Sequence, residues 1–339
     1  MLRAETFDGP LLFTRTVAIG ADGSDLKMLS ARSSSTALQV SQDGGHVIDW
    51  LGDQGQETGG SVLMTRMIVP EKSTGTIMSV ETRSGLAVER VNTTTLQRST
   101  VEQPRDRSSD FITDGHGTVR VSSTRATGPT GYDGNRITYS YRKKGSREWL
   151  PLSNVDAQAG SGSGFVPEAV DRDLDVAYGF DNKDGRRALY RVALDGSLKR
   201  ELVYANPDVD VDGLVRIGRQ NRVVGASYVT DRRHTIFFDP ALKALGAGLA
   251  KALPALPLIS FVDASADEKK LVLFAGSDVD PGRYYLYDKN TRQLAELLPA
   301  RPQLTERPLA PVRVVTYPAA DGTAVPGYLT LPPGGTGKG

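Results

Sequence analysis

One hairpin recurs along this chain, and it constrains the fold more than any other feature. Its first strand is aromatic or branched, its turn is polar, and its second strand is shorter. The copies read "RTVAIGADGSDLKML", "LAVERVNTTTLQRSTVE", "ITYSYRKKGSREWLPL", "ALYRVALDGSLKREL", "HTIFFDPALKAL" and "YYLYDKNTRQLAEL". Their turns open near Gly20, Asn92, Arg142, Leu194, Asp239 and Asp288, at steps of 72, 50, 52, 45 and 49 residues. A period of about 40–50 residues with four short strands per unit is the signature of a β-propeller, whose sheets bury their faces against their neighbours. The long first step holds "VLMTRMIVPEKSTGTIMSVE", either an insertion or a blade with a long hairpin. The competing architecture is an irregular β-sandwich or two small all-β domains.

The punctuation agrees with that period. Asp22-Gly23, Asp133-Gly134, Asp184-Gly185, Asp195-Gly196 and Asp212-Gly213 separate runs rich in Val, Ile, Tyr and Phe. Glycine supplies the positive φ that tight hairpin turns need. One segment breaks the strand pattern. "DPALKALGAGLAKALP" places Leu242, Leu245, Leu249 and Leu253 on one helical face, with Asp239 as N-cap, Pro240 in the first turn and Pro254 as the stop. It is expected to decorate a blade edge rather than to act as a lid.

Composition excludes several classes. Lys+Arg is 41 against Asp+Glu 40, a net charge of +1 with no like-charged block, so no nucleic-acid stripe is visible. No apolar run is long enough to span a bilayer, so no membrane contact is expected. The start, "MLRAETFDGPLLFTRTVAIG", lacks the basic and apolar regions of a secretory signal. The absence of cysteine removes disulfides and thiolate chemistry, and fits a cytoplasmic or a periplasmic location equally.

Motif by motif, no catalytic, cofactor-binding or metal-binding residue is assigned. A serine nucleophile usually sits in G-x-S-x-G, and "GSGSG" at residues 160–164 places Gly162 at its centre, so it reads as an inter-blade loop. His46, His116 and His234 have no spacing that would converge on zinc. "DVDVDG" (Asp208, Asp210, Asp212) begins like a calcium loop, but its twelfth position is Arg219, not the bidentate Glu. It is expected to be a structural turn balanced by Arg216, Arg219 and Arg222. "GTGK" lacks the Ser or Thr that should follow Lys338, and Asn92-Thr93-Thr94 is a formal sequon only. Trp50 and Trp149 each read as the end of a strand, sealing blade against blade.

The last residues carry the functional information. After "RPQLTERPLAP", read as an extended linker, comes "VRVVTYPAADGTAVPGYLTLP". This hairpin resembles the start of the catalytic domain in the prolyl oligopeptidase family of serine peptidases, in the bacterial acylaminoacyl- and dipeptidyl-peptidase-like branch. The residues carrying the resemblance are Tyr317, Asp321, Gly322, Val325, Pro326, Tyr328, Leu329, Pro332 and Pro333. "DGHGTVRV", "YSYRKKGSREW" and "SDVDPGRYYLYDKNTRQL" are similar to propeller stretches of the same family.

The resemblance implies a propeller over residues 1–300, a linker over 301–311, and the first strands of an α/β-hydrolase over 312–339. It also implies a continuation bearing H-G-G-P and then the Ser, Asp and His of a triad, none of which is present here. Such propellers have about seven or eight blades. Six hairpins therefore suggest a ring lacking a leading blade or two. The expected role is the non-catalytic, substrate-gating part of a serine peptidase acting on short peptides, with the hydrolase domain as its partner in cis. On that reading the chain alone is inactive. The alternative is a non-enzymatic propeller that binds protein partners.

Overall fold

The computed structural model describes residues 2–6, 9–31, 37, 41–51, 60–70, 84–128, 133–156 and 164–333. The chain divides into two compact units, Met1–Pro207 and Asp208–Gly339. The first unit opens with two short antiparallel pairs, β1 (Leu2–Thr6) with β2 (Gly9–Phe13) and β3 (Val17–Ala18) with β4 (Lys27–Met28). Three four-stranded meanders follow. The first holds β5 (Val47–Trp50), β6 (Ser61–Ile68), β7 (Gly85–Asn92) and β8 (Arg98–Arg105). The second holds β9 (Ser108–Thr113), β10 (Val119–Thr127), β11 (Asp133–Tyr141) and β12 (Leu150–Asp156). The third holds β13 (Val166–Asp171), β14 (Val176–Lys183), β15 (Arg186–Ala193) and β16 (Arg200–Tyr204).

The second unit begins with a three-stranded sheet, β17 (Val211–Ile217), β18 (Arg222–Val229) and β19 (Arg233–Phe237). Helix α1 (Pro240–Ala252) follows where the other blades have a fourth strand. A further meander comprises β20 (Leu258–Ala264), β21 (Lys270–Gly276), β22 (Arg283–Asp288) and β23 (Gln293–Pro299). The pair β24 (Val312–Pro318) and β25 (Ala324–Thr330) closes the described chain. The class is all-β, and the meanders are blades of a β-propeller. Among the described residues the first of the six hairpins forms only the short pair β3–β4. Within the long first step β6 and β7 pair in register from Ser61 opposite Asn92 to Ile68 opposite Gly85, and residues 71–83 between them lie outside the described residues.

The hairpin that set the period is the third and fourth strands of each meander, and three of its turns bend at the same left-handed position, two of them with a side-chain cap. The Asn92 side chain accepts from Thr94 N and Thr95 N, and Asp288 accepts from Asn290 N and Thr291 N. The chain then passes through left-handed backbone at Leu96, Leu198 and Arg292, with φ of 62°, 51° and 58°. Side-chain capping of the turn gives the backbone an internal partner at this bend.

Apolar faces meet from blade to blade. Leu63, Leu86 and Val88 of one sheet pack with Phe111 and Val119 of the next, and Val121 and Tyr141 of that sheet pack with Phe165, Ala177 and Val192. Leu29 beside β4 joins Val62, Met64 and Val91, so the short pair packs on the first full blade. Each such side chain contributes about 1.5–3 kcal/mol when fully buried. In the second unit Leu242 and Leu249 of α1 join Ile217, Val224, Leu271 and Leu273, with Leu245 and Leu253 at the margin. The helix is capped as its sequence predicts, Asp239 accepting from Ala241 N at 2.8 Å and from Leu242 N at 3.2 Å.

The tryptophans depart from expectation. Trp50 ends β5 but is 52% exposed, while its neighbour Asp49 is buried. Trp149 precedes β12 rather than ending a strand. It does pack at the blade–blade core, and its ring stacks 4.0 Å from the Arg142 guanidinium carbon and 5.2 Å from that of Arg105. The stretch expected to be an extended linker contains a 3₁₀ turn, Pro302–Leu304, and so is not extended throughout.

Ion pairs join successive blades, largely buried in the first unit and partly exposed in the second. Arg120 of β10, 1% exposed, donates to Asp175 Oδ1 at 2.6 Å and through Nε to the Arg142 carbonyl at 2.9 Å. Asp175 ends the β13–β14 turn of the next blade, in left-handed backbone at φ 51°. Arg142 in turn forks onto Glu102 of β8. In the second unit Arg222 of β18 forks onto Glu268 in the β20–β21 turn, where φ is again positive at 52°. The same device thus recurs, with an arginine at the start of one blade's second strand and an acid in the first turn of the next. Breaking a buried pair leaves an uncompensated charge and costs about 3–5 kcal/mol. We expect Arg120→Ala to lower the unfolding free energy by about 3 kcal/mol, the lower end of that range because Asp175 keeps some solvent, read as a lower urea midpoint at unchanged slope. An unshifted midpoint would remove the pair from the stability of this unit.

Candidate functional site

A cleft of about 650 Å³ lies in the second unit, bounded by β19, α1 and β20. Its floor is apolar, with Ile236, Phe237, Ile259, Phe261 and Phe274. Phe237 and Phe261 meet edge to face across it, 5.2 Å between ring centres. The α1 wall is made of small residues, Gly246, Ala247 and Ala250. A Cβ at Gly246 would sit 3.2 Å from Phe237 Cε2, so glycine lets the helix approach β19 this closely. The rim is cationic, with Arg232, Arg233 and Lys243, and no Asp or Glu lines the cleft. Arg233 is held by Asp212 at 2.7 Å.

β19 presents an open edge here. Phe238 N donates to Val224 O, and Phe238 and Val224 continue the register of Gly225 opposite Phe237. In an antiparallel pair, alternate residues direct both N–H and C=O to the same neighbour. Even-numbered residues of β19 therefore bond β18, and Arg233, Thr235 and Phe237 direct their backbone groups away from it. The other blades pair a fourth strand on that side, and β19 pairs only β18.

The sequence-predicted residues are distributed over both units. His234 stacks on Tyr228 (centroids 5.0 Å, 15° between planes), and its Nε2 lies 2.9 Å from Thr230 Oγ1. It lines the cleft, which its sequence context did not indicate. His46 Nδ1 lies 3.1 Å from Thr65 Oγ1. His116 occupies the β9–β10 turn, where Asp114 accepts from His116 N and Thr118 N. Residues 160–163 of the "GSGSG" stretch, and the "GTGK" stretch, lie outside the described residues. Among the described residues no three metal-ligating side chains gather.

The acidic run is arranged otherwise than expected. Only Asp212 lies in a strand, β17, whereas Asp208 and Asp210 precede it, so the three do not share a strand face. Asp212 is balanced by Ser227 and by Arg233, which is 21 residues away. Arg222, expected to serve it, is engaged by Glu268 and Asp239.

Asp49 is a strongly buried acid whose role the sequence did not suggest. Its Oδ2 accepts from Gly117 N at 2.8 Å, joining β5 to the β9–β10 turn of the next blade, and its Oδ1 is buried without a partner among the described residues. Burial raises its pKa above the ordinary 3.8, and the nearby Asp114 adds to the rise. At the C-terminal end, β24 and β25 form a two-stranded ribbon fixed by two bonds. Val312 N donates to Asp278 Oδ2 at 2.7 Å, and the Tyr328 hydroxyl donates to Thr230 O at 2.6 Å, in the β18–β19 turn beside the cleft rim.

No family model matches the chain. Among curated proteins it is similar to dipeptidyl aminopeptidase BIII of Pseudoxanthomonas mexicana, at 30% identity over 156 residues, 45% of this chain and 22% of the relative. Among solved structures it is similar to a prolyl endopeptidase (TM-score 0.50, 14% identity, 96% of this chain and 46% of that one). It is also similar to a Mycobacterium tuberculosis puromycin-hydrolyzing peptidase (TM-score 0.53, 13% identity, 96% and 49%). The chain spans about a fifth of the curated relative it matches and about half of each solved chain. The solved structures establish the fold. Over its propeller portion the chain is similar to prolyl oligopeptidase-family peptidases, the resemblance its sequence suggested.

A pH effect follows from Asp49. Its folded pKa is raised, so the stability it contributes is fully present below the ordinary value of 3.8 and is lost as pH rises through the folded value. Asp49→Asn keeps the acceptor for Gly117 N without the charge. We expect the variant to melt higher than the parent at pH 7, with the difference vanishing as the pH falls below the ordinary carboxylate range. A variant less stable at pH 7 would show that the ionised form is required.

Proposed function

We propose that this chain, a relative of prolyl oligopeptidase-family peptidases, is the non-catalytic, substrate-gating portion of a serine peptidase acting on short peptides. Its partner is an α/β-hydrolase domain in cis. Residues 1–300 supply the propeller, 301–311 the linker and 312–339 the first hydrolase strands. The observation that carries the reading is the β24–β25 ribbon. It bears the pattern of Tyr317, Asp321-Gly322, Pro326, Tyr328 and Leu329, and it exposes Val314, Tyr317 and Tyr328 at 55–59%. A two-stranded ribbon is at best marginally stable in isolation, and exposed apolar side chains on open edges suit strands that extend a larger sheet. Sequence similarity to a dipeptidyl aminopeptidase supports peptides as the substrate class.

In this reading the chemistry belongs to the hydrolase domain. A serine attacks the scissile carbonyl, a histidine moves the proton, and backbone N–H groups hold the oxyanion. The propeller adds a steric filter that admits short, unfolded peptides. The cleft beside β19 favours a second reading, a propeller that binds partners without catalysis, and activity separates the two. We expect residues 1–339 alone to leave dipeptide p-nitroanilides intact. A protein continuing this chain into a hydrolase domain should cleave them with fluorophosphonate-sensitive turnover. Fluorophosphonate-sensitive turnover by residues 1–339, or an inert continued protein, would overturn the proposal.

A further inference from the structure

We infer that the cleft beside β19 binds an extended, carboxylate-bearing peptide, which adds to the sheet as the fourth strand that this blade lacks. The inference goes beyond the gating role and rests on the second unit alone.

Three observations converge on this occupant. The first is the edge. Arg233, Thr235 and Phe237 turn their N–H and C=O groups away from β18, and among the described residues no other group bonds to them. An extended chain is the partner whose own backbone repeats at the matching spacing, and strand addition to an exposed edge is an established way for sheets to take peptides.

The second is the space. β7, β11, β15 and β22 all pair a fourth strand, whereas after β19 the chain turns at Asp239 into α1. The helix leaves a cleft of about 650 Å³ along the whole of residues 232–237. Its far wall is residues 258–261 of β20, and its roof is the small-residue face of α1. Alternate side chains of a bound strand would meet Phe237, Ile259 and Phe261 on one side.

The third is charge. Arg232 and Lys243 stand exposed on the rim, with Arg233 beside them already tied to Asp212, and no carboxylate lines the cleft. Asp231 lies outside the lining, beside Arg232 and 3.5 Å from His234 Nε2, so three cations face one acid at this end and an acidic strand is favoured where a basic one would be repelled. Tyr328 donates to Thr230 O, two residues from Arg232, so an occupant here lies next to the anchor of the C-terminal ribbon.

Binding is tested on residues 1–339 with a fluorescein-labelled acetyl-Ser-Glu-Val-Glu-Val-Glu-amide, read by fluorescence anisotropy. We expect saturable binding that weakens as salt rises. Two controls on the peptide isolate the geometry. Lysine in place of glutamate should abolish binding, and N-methylation of alternate residues on one edge should weaken it at least tenfold in one of the two registers. On the protein, the exposed pair Arg232→Glu with Lys243→Glu should weaken binding at least tenfold. Thr235→Pro should do the same, and because the Thr235 N–H faces away from β18 it removes no bond of the native sheet. Unchanged melting curves would confirm that both variants fold. If Thr235→Pro proves misfolded, the methylated peptides carry the same test. No saturable binding at millimolar peptide, equal affinity for the lysine peptide, or equal affinity for both methylated peptides would overturn the inference. So would concentration-dependent self-association abolished by Thr235→Pro, which would assign the edge to a second copy of the chain.

Discussion

A four-stranded antiparallel sheet has two faces, and neither is buried until another sheet covers it. That constraint governs each unit of this chain. A blade with Leu63, Leu86 and Val88 on one face has no stable existence alone, and Phe111 and Val119 of the following blade bury them. Nearest-neighbour burial of this kind makes stability a sum of intrinsic blade terms and interface terms. The interfaces are not purely apolar. Arg120 with Asp175, Arg142 with Glu102, and Arg222 with Glu268 each join consecutive sheets. Desolvating a charged pair gains little net energy over a well-packed apolar one. What a forked guanidinium adds is direction, since it accepts a carboxylate in few geometries and so fixes the offset between blades.

The recurrence of that pair explains an otherwise costly backbone. Asp175 and Glu268 occupy left-handed conformations that non-glycine residues adopt at a penalty. A glycine would relieve the backbone but would offer Arg120 or Arg222 no carboxylate. An acid at this strained position closes the interface. At the equivalent place in the β17–β18 turn stands Asn221, φ 52°, a residue that tolerates this region well.

The period of the hairpin was legible because it is local, with strand, polar turn and strand all lying within about 15 residues. The helix was legible for the same reason, since Asp239, Pro240 and the leucine spacing are all internal to it. The inter-blade ties were not. Arg120 and Asp175 are 55 residues apart, and Arg222 and Glu268 are 46 apart, and nothing in the intervening sequence marks them as partners. Proximity in sequence misled at the acidic run for Arg222, which is close in the chain but bonds Glu268, whereas Arg233 reaches Asp212 from 21 residues away. Trp50 failed on parity, because alternate residues of a strand face opposite ways and β5 turns Asp49 inward. The kinship with peptidases was readable from the C-terminal hairpin, but the cleft was not. Its walls come from three elements, and its central feature, a strand edge without a partner, is a property of pairing rather than of any residue.

That edge is the consequence of a single exchange. When the chain leaves β19 as a helix instead of a strand, the apolar demand of the blade is still met, because Leu242 and Leu249 pack with Ile217, Val224, Leu271 and Leu273. The hydrogen-bonding demand is not met, because a helix satisfies its own backbone and has no groups to lend to a neighbour. Packing and pairing, which one strand satisfies together in the other blades, are separated here. The outward groups of Arg233, Thr235 and Phe237 can be left to water only where water reaches them, so the edge must lie beside an open space. The cleft under α1 is that space, and the basic residues at its mouth bias which chain can enter it.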